Sequence, residues 1–369
     1  MLKRFEVANY RGFKDKIVFD LTAKDYEFNK ELVKDSLVNK AILYGKNGVG
    51  KSNLGLAFFD LVAHLTDNFS ANLSSKKDYI NAEREDEPAT FTYVFDFDGD
   101  EVVYSYKKSS VSYLIEEKLF FNGNKVLSFN YFERNNNFVD KSLQNNLQIN
   151  LPDNRLSIVK YLYKNTPTDK DSLLYKMVHF VERMLWYRSL SEGNAFIGYR
   201  NNSDESLTDI IYSKNKKDDF QKFLLKNGIE YNLEWEEVGG RNELFVVFPN
   251  GNKKRFESVM STGTSALLLF YAWSLASFDD LSFLFIDEFD AFLHYESSES
   301  LVKILNKNRK FQTILTSHNT YLMQNKLTRP DCCFIMTKER ITSLSKATKK
   351  EIREAHNLEK MYINGAFVA

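Results

Sequence analysis

The feature that most constrains this chain is the octapeptide Gly45-Lys46-Asn47-Gly48-Val49-Gly50-Lys51-Ser52. An apolar run, Ala41-Ile42-Leu43-Tyr44, predicts a buried strand before it. Leu54, Ala57, Phe58, Leu61, Val62 and Leu65 recur at helical spacing after it, over about 52–66. Glycines at 45, 48 and 50 let such a loop take dihedrals that other residues resist and turn its backbone N–H groups inward. Together with the helix N-terminus, those groups can hold a polyphosphate. In that cradle Asn47, Gly48, Val49 and Gly50 line the phosphates. Lys51 reaches the β- and γ-phosphates, and Ser52 holds a magnesium ion. The competing reading is a glycine-rich turn that binds nothing; the complete GxxxxGKS pattern between strand and helix favours the cradle.

A second signal lies far downstream. Phe283-Leu284-Phe285-Ile286-Asp287-Glu288 is an apolar strand ending in two carboxylates. The carboxyl end of a buried parallel strand faces the ligand crevice, so Asp287 is expected near the magnesium, either as a direct ligand or one water removed. Glu288 then faces the attacking water as a general base or orienting group. Thr313-Ile314-Leu315-Thr316-Ser317-His318-Asn319 again runs from apolar strand to polar tip, with His318 placed 31 residues after Asp287. A helix over about 296–307 separates the two strands, as in a β–α–β unit, which sets His318 beside Glu288 as a sensor of the γ-phosphate. Ser261-Thr262-Gly263-Thr264 precedes a helix carrying Ala266, Leu267, Leu269, Phe270 and Trp273. Taken alone, it reads as an ordinary helix cap; with the other elements it becomes a second anion site that the first loop does not need.

The chain has 369 residues, above the usual size of one domain, and at 43% hydrophobic residues it can bury a large core. Fifty basic and fifty acidic residues cancel, so nothing in the overall charge draws the chain to nucleic acid or anionic membrane, although a local basic face stays open. Cys332 and Cys333 are adjacent within an apolar run and read as small core residues in a reducing compartment rather than a redox pair. Met1-Leu2-Lys3-Arg4 turns charged too soon for a signal peptide, and no stretch approaches the ~20 apolar residues of a membrane span. The expectation is a cytoplasmic protein with no membrane partner.

Residues 2–8 and 16–21 predict short strands on either side of Asn9-Tyr10-Arg11-Gly12-Phe13. Residues 66–87 are polar and predict a long exposed loop. Alternating aromatic and β-branched residues at 91–95, 102–106 and 111–115 predict an antiparallel sheet, with hairpin turns at Asp98-Gly99 and Asn122-Gly123. After an asparagine-rich stretch at 133–152, helices are expected over about 171–188 and 206–226, with Trp186 and Trp235 as packing residues. Residues 245–248 predict a strand that returns to the core. Residues 349–361 predict one amphipathic helix.

The set of motifs, in this order and spacing, resembles the ABC-type ATPase heads of SMC, recombination-repair and OLD-family proteins. More narrowly, it resembles the AAA-family ATP-binding proteins of the RloA and abortive-infection group of prokaryotic defence loci. The matching residues are Asn9-Tyr10-Arg11-Gly12-Phe13, the 45–52 loop, Ser261-Thr262-Gly263-Thr264, Ile286-Asp287-Glu288 with Leu293-His294, Ser317-His318-Asn319 and Glu359-Lys360-Met361-Tyr362-Ile363-Asn364-Gly365. The resemblance implies an α/β P-loop NTPase with an antiparallel β-layer, a mostly parallel core sheet and an inserted helical lid or arm. It divides the chain into 1–132 and 241–369 as parts of one head, with 133–240 inserted between them. It further implies ATP and Mg2+ as ligands, Arg11 at the adenine or ribose, and Ser261, Gly263 and Thr264 on the γ-phosphate of a second copy. A homo-oligomeric, ATP-hydrolysing switch that controls a separately encoded effector, such as a nuclease or toxin, in anti-phage defence is the leading expectation. A DNA-clamping or DNA-loading ATPase is the alternative, and a non-hydrolysing scaffold the third. Two departures from the pattern stand out. Gln144 and Gln148 lie in the asparagine-rich stretch instead of a glutamine loop, and the 51 residues after His318 leave no room for an appended nuclease.

Overall fold

A computed structural model describes residues 1–66, 78–133, 136–144, 149, 153–189, 196–198 and 206–367. The first layer is an antiparallel sheet. Its strands are β1 (Leu2–Ala8) and β2 (Ile17–Asp20), then β4 (Ala89–Phe97), β5 (Asp100–Lys108), β6 (Leu114–Phe121), β7 (Asn124–Asn130) and β8 (Phe138–Val139), ordered β8-β7-β6-β5-β4-β1-β2. Both expected hairpin turns form: Asp98 and Gly99 have φ of 59° and 93°, Asn122 and Gly123 of 48° and 78°. These left-handed pairs match the twist of the strands they join. Phe91, Tyr93 and Phe95 alternate into the core. The third strand starts later than its pattern implies, at Leu114, because residues 109–112 make the turn out of β5.

The second layer is a sheet ordered β10-β9-β14-β15-β3-β16-β17, with β3 (Lys40–Gly45), β9 (Met184–Arg188), β10 (Phe196–Gly198), β14 (Phe283–Asp287), β15 (Gln312–Ser317), β16 (Cys333–Met336) and β17 (Ile341–Ser343). The five inner strands run parallel and the two edges antiparallel. Both faces are covered, which is why these strands read as unbroken apolar runs. Ala41, Leu43, Phe283 and Phe285 join one buried cluster with the antiparallel sheet, while Ile42, Tyr44, Leu284 and Ile286 join another on the opposite face.

Helix α1 (Lys51–Leu65) lies in the first cluster, between the two sheets, so it is buried nearly all round and not only along its predicted stripe. Gly55 is what lets it come so close. A Cβ there would sit 2.7 Å from Nε1 of Trp186 and 2.8 Å from Cε1 of Phe285. The second cluster is covered by α4 (Leu207–Ser213), α5 (Lys217–Lys226), α6 (Thr262–Ser277), α7 (Tyr295–Lys307) and the small sheet β11-β12-β13 (Asn232–Val238, Arg241–Val247, Lys253–Arg255).

Between β8 and β9 stand α2 (Ile158–Asn165) and α3 (Leu173–Glu182). The segment 133–240 therefore does supply helices, but part of it belongs to the core. Val159, Leu162, Met177, Val178 and Val181 pack in the first cluster, and β9 pairs in parallel with β14. The helix expected over 171–188 stops at Glu182, and Met184 and Leu185 are strand residues. The helix expected over 206–226 is two, broken at 214–216. In the tail only α8 (Leu358–Ile363) is helical: Asn357 caps it by accepting from the Lys360 N–H at 2.8 Å, and 349–353 is irregular.

The 66–87 stretch is less exposed than its composition implies. Tyr79 is buried with its hydroxyl on Asp60 at 2.9 Å, and Asn81 is buried beside Arg11, whose carbonyl accepts from its side chain; residues 67–77 lie outside the described residues. Gln144 ends a short helical turn and Gln148 lies outside the described residues. Cys332 and Cys333 are buried free thiols, and Trp186 and Trp235 pack against the two clusters as expected.

Candidate active site

The parallel strands β3, β15, β14 and β9 are neighbours, and their carboxyl ends deliver the 45–52 loop, Ser317-His318, Asp287-Glu288 and Arg188 to one place. Two of the loop's three glycines take the left-handed backbone expected of them, whereas Gly45 ends β3, where a Cβ would lie 2.9 Å from the Met336 carbonyl oxygen. Gly48 and Gly50 have φ of 77° and 104°, and Gly50 caps α1. A Cβ at Gly50 would lie 2.7 Å from the Phe13 ring, so the Asn9–Phe13 motif packs directly beneath the loop. Lys46, Asn47 and Gly48 face solvent, Val49 is half-buried, and Ser52 sits in the first turn of the helix.

Lys51 folds over the loop. Its Nζ donates to the carbonyls of Gly45 at 2.8 Å and Lys46 at 3.3 Å, and lies 3.1 Å from Nε2 of His318. Burial lowers its pKa, opposed by the charges of Asp287 and Glu288. Burial and then the Lys51 charge lower the His318 pKa in turn, which keeps the imidazole neutral. The expected meeting of Lys51, His318, Asp287 and Glu288 is thus present in the fold.

Asp287 is fully buried. Its Oδ1 accepts from Thr316 Oγ1 at 2.7 Å, whereas Oδ2 accepts no hydrogen bond among the described residues; the nearest cation, Arg188 Nε, is 3.6 Å away, too far for one. A buried carboxylate oxygen left without a donor suits a metal ion. Glu288 adopts a left-handed backbone with φ of 51°, strain of about 1–2 kcal/mol for a residue with a Cβ. Its N–H donates to the same Thr316 Oγ1 at 2.7 Å, so one hydroxyl ties both acidic residues to the neighbouring strand. Ser317 Oγ donates to Asp290 at 2.6 Å and accepts from the Asn319 N–H at 2.8 Å, tying the two strand tips together. Burial pushes the Asp290 carboxyl up to about 6.

Two predicted groups stand apart from this centre. Arg11 also has a left-handed backbone, at φ of 49°, and lines a cavity of about 550 Å³ with Gly12 and Asn53, beside the first turn of α1; its Nε is buried with no hydrogen-bond partner among the described residues. Ser261 caps α6, accepting from the Thr264 N–H at 3.2 Å, and Gly263 approaches the carbonyl of Phe292. Among the described residues, no hydrogen bond or ion pair joins 261–264 to the chain's own phosphate loop. Thr316 and Arg188 escaped the sequence reading. Thr316 lies inside a motif whose pattern marks only Ser317 and His318, and Arg188 follows the apolar run Met184-Leu185-Trp186-Tyr187, whose spacing continues that of the preceding helix.

The sequence model of one family, described as "AAA domain, putative AbiEii toxin, Type IV TA system", matches residues 40–324, which span the phosphate loop, the acidic strand and the histidine tip. The chain belongs to that family. It is an ATPase domain of AAA type, of the abortive-infection-like group, built on an α/β P-loop fold. No curated protein matches this AAA chain. Solved structures similar to it include the SMC head domain from Thermotoga maritima, at 16% identity over 93% of this chain and 98% of that one, with a TM-score of 0.42. A SmcHead bound to the C-winged helix domain of ScpA matches at 18% identity, 94% and 99% coverage and a TM-score of 0.48. An Smc head with an extended coiled coil, bound to the C-terminal domain of ScpA derived from Pyrococcus furiosus, matches at 15%, 94% and 97%, with 0.45. No helix among the described residues is long and apolar enough to cross a membrane.

Proposed function

We propose that this AAA domain hydrolyses ATP as a switch: two copies close on one another when ATP binds and part after hydrolysis, and this cycle controls a separately encoded effector in anti-phage defence. The observation that carries the catalytic half is the convergence of Lys51, His318, Asp287 and Glu288 on adjacent parallel strand ends. In this reading the N–H groups of the 45–52 loop receive the phosphates, and Lys51 exchanges the carbonyls of Gly45 and Lys46 for β- and γ-phosphate oxygens. Magnesium, held by Ser52 and Asp287 with the phosphates, would neutralise charge on the β- and γ-phosphates; the undonated Oδ2 of Asp287 fits that part. Glu288 takes a proton from water as its oxygen bonds to the γ-phosphorus and the bond to the bridging oxygen breaks, releasing ADP and phosphate. The neutral His318 donates to the γ-phosphate.

The pairing of two copies is supported by the signature residues Ser261, Gly263 and Thr264. Ser261 is exposed and Gly263 half-buried at the start of α6, and among the described residues neither bonds to the chain's own loop, which leaves them available to the ATP on a second copy; Thr264 is buried behind them with its N–H and hydroxyl on Ser261 Oγ and acts by holding that hydroxyl in place. The family's description, which names a toxin and a type IV toxin–antitoxin system, supports a second protein as the target of the switch. Two variants test the cycle. Lys51→Ala abolishes nucleotide binding. Glu288→Gln binds ATP, loses turnover by about 10²–10⁴-fold and accumulates as an ATP-bound dimer in size-exclusion chromatography with light scattering. Wild-type turnover in Glu288→Gln overturns the reading of Glu288; a monomer at saturating ATP overturns the pairing.

A further inference from the structure

Arg188 closes β9, and the parallel register of β9 with β14 sets it opposite Asp287. Its Nη2 lies 2.7 Å from Oε1 of Glu288 and its Nε donates to Oε2 at 3.3 Å, so one guanidinium grips both oxygens of that carboxylate. Glu288 has reason to need an anchor at its head. The left-handed backbone and the Thr316 hydroxyl hold its peptide, yet the side chain beyond has three rotatable bonds and is 33% exposed. Unanchored, such a carboxylate would spread over several staggered rotamers.

We propose that Arg188 is the positioning residue of Glu288. Its two-pronged grip, presented from the strand next to the acidic one, keeps the carboxylate at the height of Asp287, where the attacking water is activated. The inference rests on the role given to Glu288 above. Arginine suits the task because its planar fork matches both carboxylate oxygens at once, whereas lysine offers the charge without the fork. Thr316 fixes the backbone of Glu288 and Arg188 fixes its head, so the two act on one residue from strands on either side of it.

The test is a double-mutant cycle on the full chain with Mg2+ and ATP, following steady-state and single-turnover hydrolysis in Arg188→Ala, Arg188→Lys, Glu288→Gln and Arg188→Ala/Glu288→Gln. A displacement of the carboxylate by about 1 Å costs on the order of 10²-fold. Arg188→Ala should therefore lower kcat about 10- to 100-fold with KM for ATP within about threefold, and Arg188→Lys should recover part of the loss. In the Glu288→Gln background the Arg188→Ala change should alter the residual rate by less than about twofold, because the group it positions is already gone. Equal losses in both backgrounds, a loss carried in KM, or no recovery with lysine would each overturn the proposal. So would an unchanged kcat in Arg188→Ala beside an inactive Glu288→Gln, which leaves the role of Glu288 standing. Wild-type turnover in Glu288→Gln would remove that role and the inference with it.

Discussion

Gly50→Ala is the substitution whose effect can be worked most fully from the structure. Gly50 has φ of 104° and ψ of 17°, a backbone that costs an L-residue about 1–2 kcal/mol. The new Cβ would also meet Cε1 of Phe13 at 2.7 Å and Cζ at 3.1 Å. Phe13 is 2% exposed within the first core cluster, so its ring cannot turn aside without disturbing its neighbours; forcing an extra methyl into such packing costs about 1–3 kcal/mol. Together the two effects amount to roughly 2–5 kcal/mol. Gly99→Ala supplies the control: φ there is 93°, but no heavy atom lies within 4 Å of the added Cβ, so only the backbone contribution applies. Urea unfolding of the two variants and the parent, without nucleotide, should place Gly50→Ala about 1–3 kcal/mol below Gly99→Ala. Binding of a fluorescent ATP analogue should weaken only in Gly50→Ala. Equal destabilisation of the two variants would refute the contact between the Phe13 ring and the phosphate loop, and with it the account of how the Asn9–Phe13 motif supports that loop.

Lys40 is 5% exposed, donates to the carbonyl of Phe311 at 2.6 Å and to Thr313 Oγ1 at 2.9 Å, and burial lowers its pKa to about 7. The folded state therefore sheds a proton that the unfolded state keeps until about pH 10.5, so stability should rise with pH across that window by up to about 1.4 kcal/mol per unit. Unfolding free energies at pH 7.5 and 9 should differ less in Lys40→Met than in the parent; equal slopes would refute the buried titration. Lys108, fully buried, sits 2.7 Å from Asp60 Oδ2 inside the layer between α1 and the antiparallel sheet. Lys108→Met removes the buried cation that faces Asp60 and leaves its carboxyl, among the described residues, the hydroxyls of Tyr79 and Tyr106 as side-chain hydrogen-bond donors; it should cost about 3–5 kcal/mol, part of it restored by adding Asp60→Asn. A loss below about 1 kcal/mol in urea unfolding would show that the pair does not carry this interface.

Much of the candidate site was legible before the fold because its parts are local. The phosphate loop is one strand, one turn and one helix start, and its glycines, lysine and serine are adjacent in the chain. The acidic strand and the histidine strand are each an apolar run that ends in polar groups. Each can be read within about ten residues, and burial on both faces explains why none of them alternates. The same property hid β9. Met184-Leu185-Trp186-Tyr187 is apolar on both faces, so periodicity could not separate it from the end of the preceding helix, and Arg188 was lost with it. The tail failed for the opposite reason: its amphipathic spacing ran through 349–361, but the Asn357 cap starts the helix only at Leu358.

By itself, then, the sequence determined the phosphate-binding loop, the order of strands that carry the acidic pair and the histidine, and the antiparallel layer with its two tight turns. These depend on side-chain spacing and on backbone preferences that act over a few residues. Only the tertiary structure decided that β9 lies against β14 and how the neighbouring strands stand in register. That pairing brings Arg188 onto Glu288 across 100 positions, Thr316 onto both acidic residues, and the Phe13 ring beneath Gly50. Such contacts follow from the register of parallel strands and from two sheets closing on one helix. Both are set by burial summed over the whole core rather than by any one stretch of the chain.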